Sequence, residues 1–357
     1  MSHVGIRLAV GLALAWSASA GDAAAACALD LTQDLQGQIV LPAGCVFEGT
    51  LRLKKSDTSL NCNGSVFDGG NTTSSGLIVG GRDEPIQNVQ VENCGFRNYT
   101  GNAITVSYKG MSDDIEENYR RAPKNIRFNQ ITIENSRLGF FIGSYSSKVV
   151  ISNSRVSGSF GTAIYLEYSS RENEIYNNYF FRNGFDDDGK RKREALAVDS
   201  SANNKIQNNV FDSNGNGSIF LYKNCGEKSS QKENWQRWQH SDRNLISGNV
   251  FRNEVVGVWI ASRQSRDLSK WDCGDRSMGD SGAYFEDFAN ENVVADNQFC
   301  GTKRPVRIEG DSNQVVNNSF DRASSAFSEV PLSKRGEILG RPPQGNRIES
   351  NRPTECR

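Results

Sequence analysis

Two acidic side chains, Glu167 and Asp199, occupy equivalent positions in two short alternating runs at 164–169 and 196–201. If the two runs are adjacent parallel strands, their Cα atoms lie about 5 Å apart on one face. Carboxylates at that spacing share a proton, bind a cation or are neutralised by Lys or Arg. The pair could therefore serve a retaining hydrolase, supply oxygen ligands to Ca²⁺, or be a surface pair balanced by nearby basic residues.

A second candidate group follows in the next runs. Tyr222 continues the same outward column, Lys223 is the next residue, and Arg263 falls one run further on. Elimination from a uronic-acid chain needs a cation for the sugar carboxylate, a base for the C5 proton and an acid for the leaving oxygen. Tyr, Lys and Arg can fill these roles without a metal. The alternative is that they are ordinary surface residues of a polar sheet.

The inserted segments hold further candidates. His240 lies between Trp238 and Asp242, where it could act as a base or remain a solvated loop residue. Arg193 ends the basic run 190–193, which could attract a polyanion or balance the acidic run 186–188. The acidic run lacks the spacing of an EF-hand loop.

The elements that must position these residues repeat along the chain. A six-residue frame holds an apolar residue, a small polar residue three positions later and a second apolar residue two positions after that. Its members are Val91/Cys94/Phe96, Ile126/Asn129/Ile131, Ile151/Ser154/Val156, Ile175/Asn178/Phe180, Ile206/Asn209/Phe211, Ile246/Asn249/Phe251, Val294/Asn297/Phe299 and Val315/Asn318/Phe320. A basic period of roughly 21–25 residues, without helical periodicity, predicts a β-solenoid. The recurring Asn predicts a ladder in which each amide bonds to the coils above and below.

On these frames, over roughly residues 45–350, the chain resembles the right-handed parallel β-helix proteins of the pectate-lyase-like superfamily, in its carbohydrate-active branch. Leucine-rich repeats share the period, but their Leu-rich consensus is missing. The resemblance implies an all-β fold, a single right-handed parallel β-helix of about nine to ten coils with long loops over one face. It indicates architecture more than reaction, because this fold serves lyases, hydrolases, epimerases and non-enzymatic proteins.

The outward face of the repeated strands is predicted to bind the substrate. Strands are expected at 104–109, 140–145, 164–169, 196–201, 219–224, 258–263 and 306–311. Alternation places aromatic residues outward, where they could stack on sugar rings. Insertions at 109–124, 183–194, 223–243 and 263–290 adjoin this face and should wall it into a cleft. The residues expected to contact substrate are Tyr165, Phe220, Trp259, Trp235, Trp238, Trp271, Arg193 and Arg307. Alternatively, the tryptophans pack the loops onto the solenoid.

The ends of the chain and its cysteines indicate an exported protein. Residues 1–20 have the layout of a signal peptide, and the mature chain, 21–357, is expected to be one β-helix domain with caps at about 27–60 and 321–357. The Ala-rich stretch before Cys27 could instead be a lipoprotein signal, although no Leu stands three residues before that Cys. Eight cysteines without CxxC spacing favour disulfides, with the sequential pairing Cys27–Cys45, Cys62–Cys94, Cys225–Cys273 and Cys300–Cys356.

These features favour an exported, periplasmic or secreted polysaccharide-active enzyme, a lyase or C5 epimerase acting on an acidic, uronate-containing glycan. Epimerases of this fold carry an Asp-Pro-x-Asp motif that these strands lack, so elimination is preferred. A glycoside hydrolase using Glu167 and Asp199 is one alternative, and a non-catalytic glycan- or metal-binding β-helix is another. With two His and three Met, copper is disfavoured, and the only cofactor considered is Ca²⁺. A net charge of −1 gives no reason to expect nucleic acid, no segment could span a membrane, and a monomer is expected.

Overall fold

The chain winds into a stack of parallel coils. The computed structural model describes residues 27, 29–81, 85–112, 114–143, 145–224, 239–270, 275–321, 328–330 and 332–356. In these ranges the coils form one ten-stranded sheet and one twenty-stranded sheet, which covers the other two faces of the solenoid. Every pairing within these two sheets is parallel. The predicted fold class is therefore confirmed.

The ten-stranded sheet forms the first face. Its strands are Leu51–Leu53, Ser75–Val79, Asn102–Val106, Leu138–Ile142, Ile164–Leu166, Glu194–Asp199, Gly217–Tyr222, Val256–Ile260, Arg304–Ile308 and Ser328–Glu329. Apolar residues of neighbouring coils align in register, as in Ile164 beside Leu196 and Leu196 beside Ile219. Each coil buries its apolar edge only by stacking on the next one.

The twenty-stranded sheet forms the other two faces. The second face comprises Gly37–Val40, Thr58–Asn61, Gln87–Arg97, Lys124–Glu134, Val150–Ser152, Glu174–Tyr176, Lys205–Gln207, Leu245–Ser247, Val293–Ala295, Gln314–Val316 and Arg347–Glu349. The third comprises Val46–Glu48, Val66–Asp68, the ends of the two long strands, Arg155–Ser157, Tyr179–Phe181, Val210–Asp212, Val250–Arg252, Gln298–Cys300, Ser319–Phe320 and Arg352–Pro353. A hairpin of Ser277–Met278 and Tyr284–Phe285 lies outside the solenoid.

The bend between these two faces explains the repeated frame. In most frames the residue before the inward Asn takes a left-handed backbone, as at Asn177, Asn208 and Asn317, with φ between 55° and 57°. Asn and Gly tolerate this conformation best. The next residue then points inward, and the closing Phe joins a stack of rings, with Phe211–Phe251 and Phe251–Phe299 centroids 5.3 and 4.6 Å apart.

The predicted Asn ladder is confirmed. Asn178, Asn209 and Asn249 are buried, and each amide donates to the amide oxygen one coil further on, at 3.0 Å. Two further ladders were not predicted. One is formed by Asn173, Asn204, Asn244, Asn292 and Asn313. The other is formed by Asn183, Asn214 and Glu254.

One predicted frame, Ile126/Asn129/Ile131, is shifted by two residues. Ile151 pairs with Phe128 and Val156 with Ile133, so the inward residue at the bend is Ile131. The preceding coil has Cys94 at this place, paired with Ile131. Because this coil carries the apolar Ile131 where the later coils carry Ser or Asn, a pattern that requires a small polar residue selects Asn129 instead.

The strands of the ten-stranded sheet also end earlier than predicted. The predicted strands 196–201, 219–224 and 258–263 are Glu194–Asp199, Gly217–Tyr222 and Val256–Ile260. Left-handed residues terminate two of them, Ser200 with φ 52° and Ala261 with φ 60°. Lys223 and Arg263 therefore lie in turns beyond the strands rather than on the sheet.

Three predicted disulfides are confirmed, namely Cys27–Cys45, Cys62–Cys94 and Cys300–Cys356. The fourth, Cys225–Cys273, lies outside the described residues.

Two short helices interrupt the β-structure. The N-cap of the helix Ile115–Arg121 is Asp114, and the N-cap of the helix Lys334–Leu339 is Ser333. Each of these two side chains accepts a backbone N–H of the first turn. No helix in the described ranges is long and apolar enough to cross a membrane.

Glu254 gives the fold a testable pH dependence. Burial raises the pKa of Glu254 to about 7, against the lowering effect of its hydrogen bonds from Asn214. Between pH 4.5, the ordinary pKa of the group, and a pH of about 7, the folded state keeps a proton on Glu254 that the unfolded state has released. The free energy of unfolding therefore falls as pH rises through this window.

We expect Glu254→Gln, which keeps the acceptor for Asn214 without the charge, to remove this dependence. Its stability advantage over the native chain should grow between pH 5 and pH 8 by on the order of 3 kcal/mol. Urea denaturation of both proteins at the two pH values measures it. An advantage that does not change with pH would contradict the assignment.

Candidate active site

A cleft of about 470 Å³ lies on the ten-stranded sheet. Four consecutive strands form its floor, from Glu194–Asp199 to Arg304–Ile308. The residues that line it are Lys192, Arg193, Glu194, Asn216, Phe220, Tyr222, Trp259, Ser262, Arg263, Ser265, Arg266 and Arg307. This lining carries five cations and one carboxylate, so it favours an anionic ligand.

Tyr222 and Glu194 form a hydrogen-bonded cluster in the lining of the cleft, and both side chains are almost fully buried. The Tyr222 hydroxyl donates to Glu194 Oε1 at 2.8 Å and accepts from Arg193 Nη2 at 3.1 Å. Arg193 also donates to Glu194 Oε1 at 3.1 Å, and the Arg263 guanidinium lies 4.2 Å from the centroid of the Tyr222 ring. The arrangement joins a phenol, a carboxylate and two guanidinium groups by direct contacts.

The protonation states of this group follow from burial and charge. Burial acts to raise the pKa of Glu194, but the charge and hydrogen bonds of Arg193, a backbone hydrogen bond and the charge of Arg263 together outweigh it, so that pKa is lowered. Burial and the Glu194 charge together raise the pKa of Tyr222 well above its usual value. At neutral pH the site therefore holds an ionised carboxylate that accepts a hydrogen bond from a neutral phenol.

Asp199 does not line the cleft. The side chain is fully buried, and its Oδ2 accepts from the Tyr165 hydroxyl at 2.7 Å and from Asn224 Nδ2 at 2.8 Å. Oδ1 accepts the Asn224 backbone N–H at 2.7 Å. Glu167 follows the strand Ile164–Leu166 and continues the register toward Asp199, but it does not line the cleft. This geometry does not favour a hydrolase pair or a Ca²⁺ site at these two residues.

Of the two cations predicted beside Tyr222, the turns after the strands place Arg263 at the cleft and Lys223 away from its lining. Arg263 lines the cleft and donates from Nε to Asn224 Oδ1 at 3.1 Å. Lys223 is buried away from it and pairs with Asp275 at 2.9 Å. Asp287 joins the two turns, because its carboxylate accepts the backbone N–H groups of Lys223 and Arg263, both at 2.6 Å. Burial raises the pKa of Asp287 to about 7.

His240 is not brought to the cleft lining. Its ring stacks on Phe288 with centroids 4.3 Å apart, and Nδ1 lies 3.6 Å from Asp242 Oδ2. The neighbouring Gln239 donates to the backbone oxygens of Ser170 and Ser200, so this loop residue is fixed over the ends of the sheet.

The predicted aromatic contacts divide into two groups. Phe220 and Trp259 line the cleft with ring centroids 5.2 Å apart, whereas Tyr165 is buried against Phe141. Arg193 and Arg307 also line the cleft. The remaining predicted contacts, Trp235, Trp238 and Trp271, lie outside the described residues.

The comparisons with known proteins agree with the architecture. The family model described as a right handed beta helix region matches residues 57–234. The chain is a right-handed parallel β-helix protein. A second family model, for the periplasmic copper-binding protein NosD, matches residues 185–330. No curated protein sequence matches the chain.

Solved β-helix structures share the fold at low identity. The A-module of mannuronan C-5 epimerase AlgE4 from Azotobacter vinelandii is 12% identical, with a TM-score of 0.53 covering 90% of this chain and 89% of that one. PfbA, a surface adhesin of Streptococcus pneumoniae, is 16% identical, with a TM-score of 0.54 over 82% and 73%. An alginate lyase from Paenibacillus sp. str. FPU-7 is 12% identical, with a TM-score of 0.50 over 91% and 93%.

The described residues of this β-helix do not fit a copper site. Among the described residues, no group of three or more His, Cys, Asp or Glu could hold a metal ion. Copper favours imidazole and sulfur ligands, yet His240 stacks on Phe288 and the six described cysteines are in disulfides. The match to the NosD model therefore supports the architecture without supplying a metal centre.

Sequence reasoning missed Glu194 because strict alternation fails at the start of its strand. Ala195 and Leu196 are both in the core, so the chain turns there and Glu194 faces the cleft. The sequence feature that could have identified Glu194 is its place next to Arg193, at the end of a basic run. Asp275 and Asp287 were missed because they lie in a long insertion without a repeat.

Proposed function

We propose that this β-helix protein is an exported enzyme that acts on an acidic polysaccharide, and that its reaction is β-elimination at a uronate. The observation that carries the proposal is the contact of Tyr222 with Glu194, Arg193 and Arg263 inside a cleft lined mainly by cations. Three disulfides support an oxidising compartment.

The cations of the cleft would bind the uronate carboxylate. A guanidinium beside that carboxylate stabilises the charge that develops when the neighbouring C5–H bond breaks. Arg263 and Arg193 are the candidates, because both line the cleft and both contact Tyr222. Arg binds carboxylates in a bidentate manner, which also fixes the orientation of the sugar.

Tyr222 and Glu194 would move the proton. As the Tyr222 oxygen accepts the C5 proton, its own proton passes to Glu194 Oε1, 2.8 Å away. The C5–H electron pair forms the C4=C5 double bond, and the bond from C4 to the glycosidic oxygen breaks. The proton then returns through Tyr222 to the departing oxygen, so Glu194 and Tyr222 end in their starting states.

The proposal is tested on a panel of purified uronic-acid polymers, each with and without EDTA. Elimination predicts new reducing ends together with the ultraviolet absorbance of an unsaturated uronate, unchanged by EDTA. Reducing ends without that absorbance would support a hydrolase instead. In heavy water, deuterium gained at C5 without chain shortening would support C5 epimerisation, which begins with the same proton removal.

A non-catalytic glycan-binding module is the second candidate. The observation that favours it is the pairing of Glu194 with Arg193, since such a pair can equally fix an arginine for binding alone. This reading would be supported if the protein binds a polyuronate but changes neither the polymer length nor the C5 configuration of any member of the panel.

A further inference from the structure

Arg307 and Trp259 form a second polar centre in the cleft, at the end away from Glu194. The fully buried Glu309 organises this centre. Its Oε1 accepts from Trp259 Nε1 at 3.0 Å and from Arg307 Nε at 2.9 Å, and its Oε2 accepts from Ser265 Oγ at 3.0 Å. A buried carboxylate with three donors holds these side chains in one geometry.

The two terminal nitrogens of Arg307 make no hydrogen bond to the described residues. Its guanidinium lies over the Trp259 ring, 4.6 Å from the centroid, and lines the cleft. Only Nε has a hydrogen-bond partner among the described residues, which leaves both terminal nitrogens for a ligand. A fixed guanidinium with two such nitrogens matches the two oxygens of a carboxylate.

This carboxylate receptor is remote from the one beside Tyr222. The strand of Arg307 lies three coils from the strand of Glu194, in the order Glu194–Asp199, Gly217–Tyr222, Val256–Ile260 and Arg304–Ile308. At about 4.8 Å per coil, the strand of Arg307 is roughly 10 Å from the strand of Tyr222 and roughly 14 Å from the strand of Glu194 along the axis. One sugar ring is too short to span either distance, so a carboxylate at Arg307 belongs to a different sugar from the one beside Tyr222 and Arg193.

We infer that Arg307 binds a second uronate carboxylate, and that the substrate class is an uninterrupted polyuronate running along the axis of the solenoid. The inference rests on the proposed function for the reaction at the Tyr222 centre. The inference adds a role for Arg307 in specificity. Arg307 allows the protein to distinguish chains of consecutive uronates from chains in which single uronates are set among neutral sugars. The indole of Trp259 supports the guanidinium from below rather than stacking on a sugar.

The test compares Arg307→Gln with the native chain on two oligosaccharides of equal length. One consists of uronates only, and the other has a single uronate flanked by neutral sugars. We expect Arg307→Gln to raise KM for the first by roughly 10- to 100-fold, with kcat kept and the second little changed. Arg155→Gln is the matched control, because Arg155 stacks on Tyr179 at 4.9 Å on another face.

Binding measurements separate this inference from the reaction. Calorimetric titration of the same oligosaccharides requires no turnover. If no elimination occurs but Arg307→Gln weakens binding of the all-uronate oligosaccharide alone, the inference stands and the reaction fails. The inference is overturned if the native chain and Arg307→Gln bind the all-uronate oligosaccharide with equal affinity. It is also overturned if the substitution weakens the binding of both oligosaccharides equally. Matching thermal unfolding of the two proteins confirms that the variant is folded.

Discussion

Replacing Tyr222 with Phe is expected to lower kcat for uronate elimination by roughly 10²- to 10⁴-fold. The change deletes the hydroxyl that contacts Glu194 and Arg193 and keeps the ring beneath Arg263. Substrate affinity should therefore change little, because the cations that bind the carboxylate remain. Initial rates of unsaturated-uronate formation, with calorimetric Kd for the same oligosaccharide, measure the two quantities.

Tyr179→Phe is the control for this substitution. Tyr179 also donates its hydroxyl to a carboxylate, Asp212 at 3.4 Å, but it lies on a different sheet outside the cleft. Its rate should equal that of the native chain. If Tyr222→Phe retained a rate within a few-fold of native, the hydroxyl would not carry the proton, and the relay to Glu194 would be abandoned.

Replacing Asn209 with Ala is expected to destabilise the fold by about 3–5 kcal/mol. Asn209 Oδ1 accepts both the backbone N–H and the side-chain amide of Asn178 at 3.0 Å. Its own amide donates to the backbone oxygen of Ile175 at 2.8 Å and to Asn249. The substitution leaves these buried groups without partners, which costs far more than losing a hydrogen bond at the surface.

Asn177→Gly is the control for the ladder. Asn177 stands beside the ladder residue Asn178, is exposed and has a φ of 57°, which Gly adopts readily. We expect its free energy of unfolding to stay within about 0.5 kcal/mol of native. Urea unfolding curves of the three proteins measure both effects. A similar small loss for both substitutions would mean that the ladder does not stabilise the coils.

The architecture could be predicted because one local rule is repeated on most coils. A left-handed residue, an inward Asn and an inward Phe recur at short range, as in Asn208, Asn209 and Phe211. The same rule fails where the inward residue is apolar, as at Ile131. Repeats fix which residues align, so Tyr222 and Arg263 were correctly expected to be near each other.

The candidate site could be predicted only where it follows the repeat. Alternation identified Asp199 as outward but could not show that Asn224, beyond the strand, covers it and bonds to both of its oxygens. Lys223 was placed on the sheet because the left-handed turns that end the neighbouring strands have no invariant residue type. The partner of Lys223, Asp275, comes from an insertion 52 residues later, which no local pattern specifies.

The central claim is that the cleft eliminates across the C4–C5 bond without adding water. It is tested most directly by mass spectrometry of the products of an all-uronate oligosaccharide cleaved in water enriched in the heavy oxygen isotope. The account predicts one product lighter by the mass of a water molecule than the matching hydrolysis product, with no more heavy oxygen in either product than the reducing end of the uncleaved oligosaccharide takes up by exchange. Incorporation of one heavy oxygen per cleavage, with no dehydrated product, would contradict it.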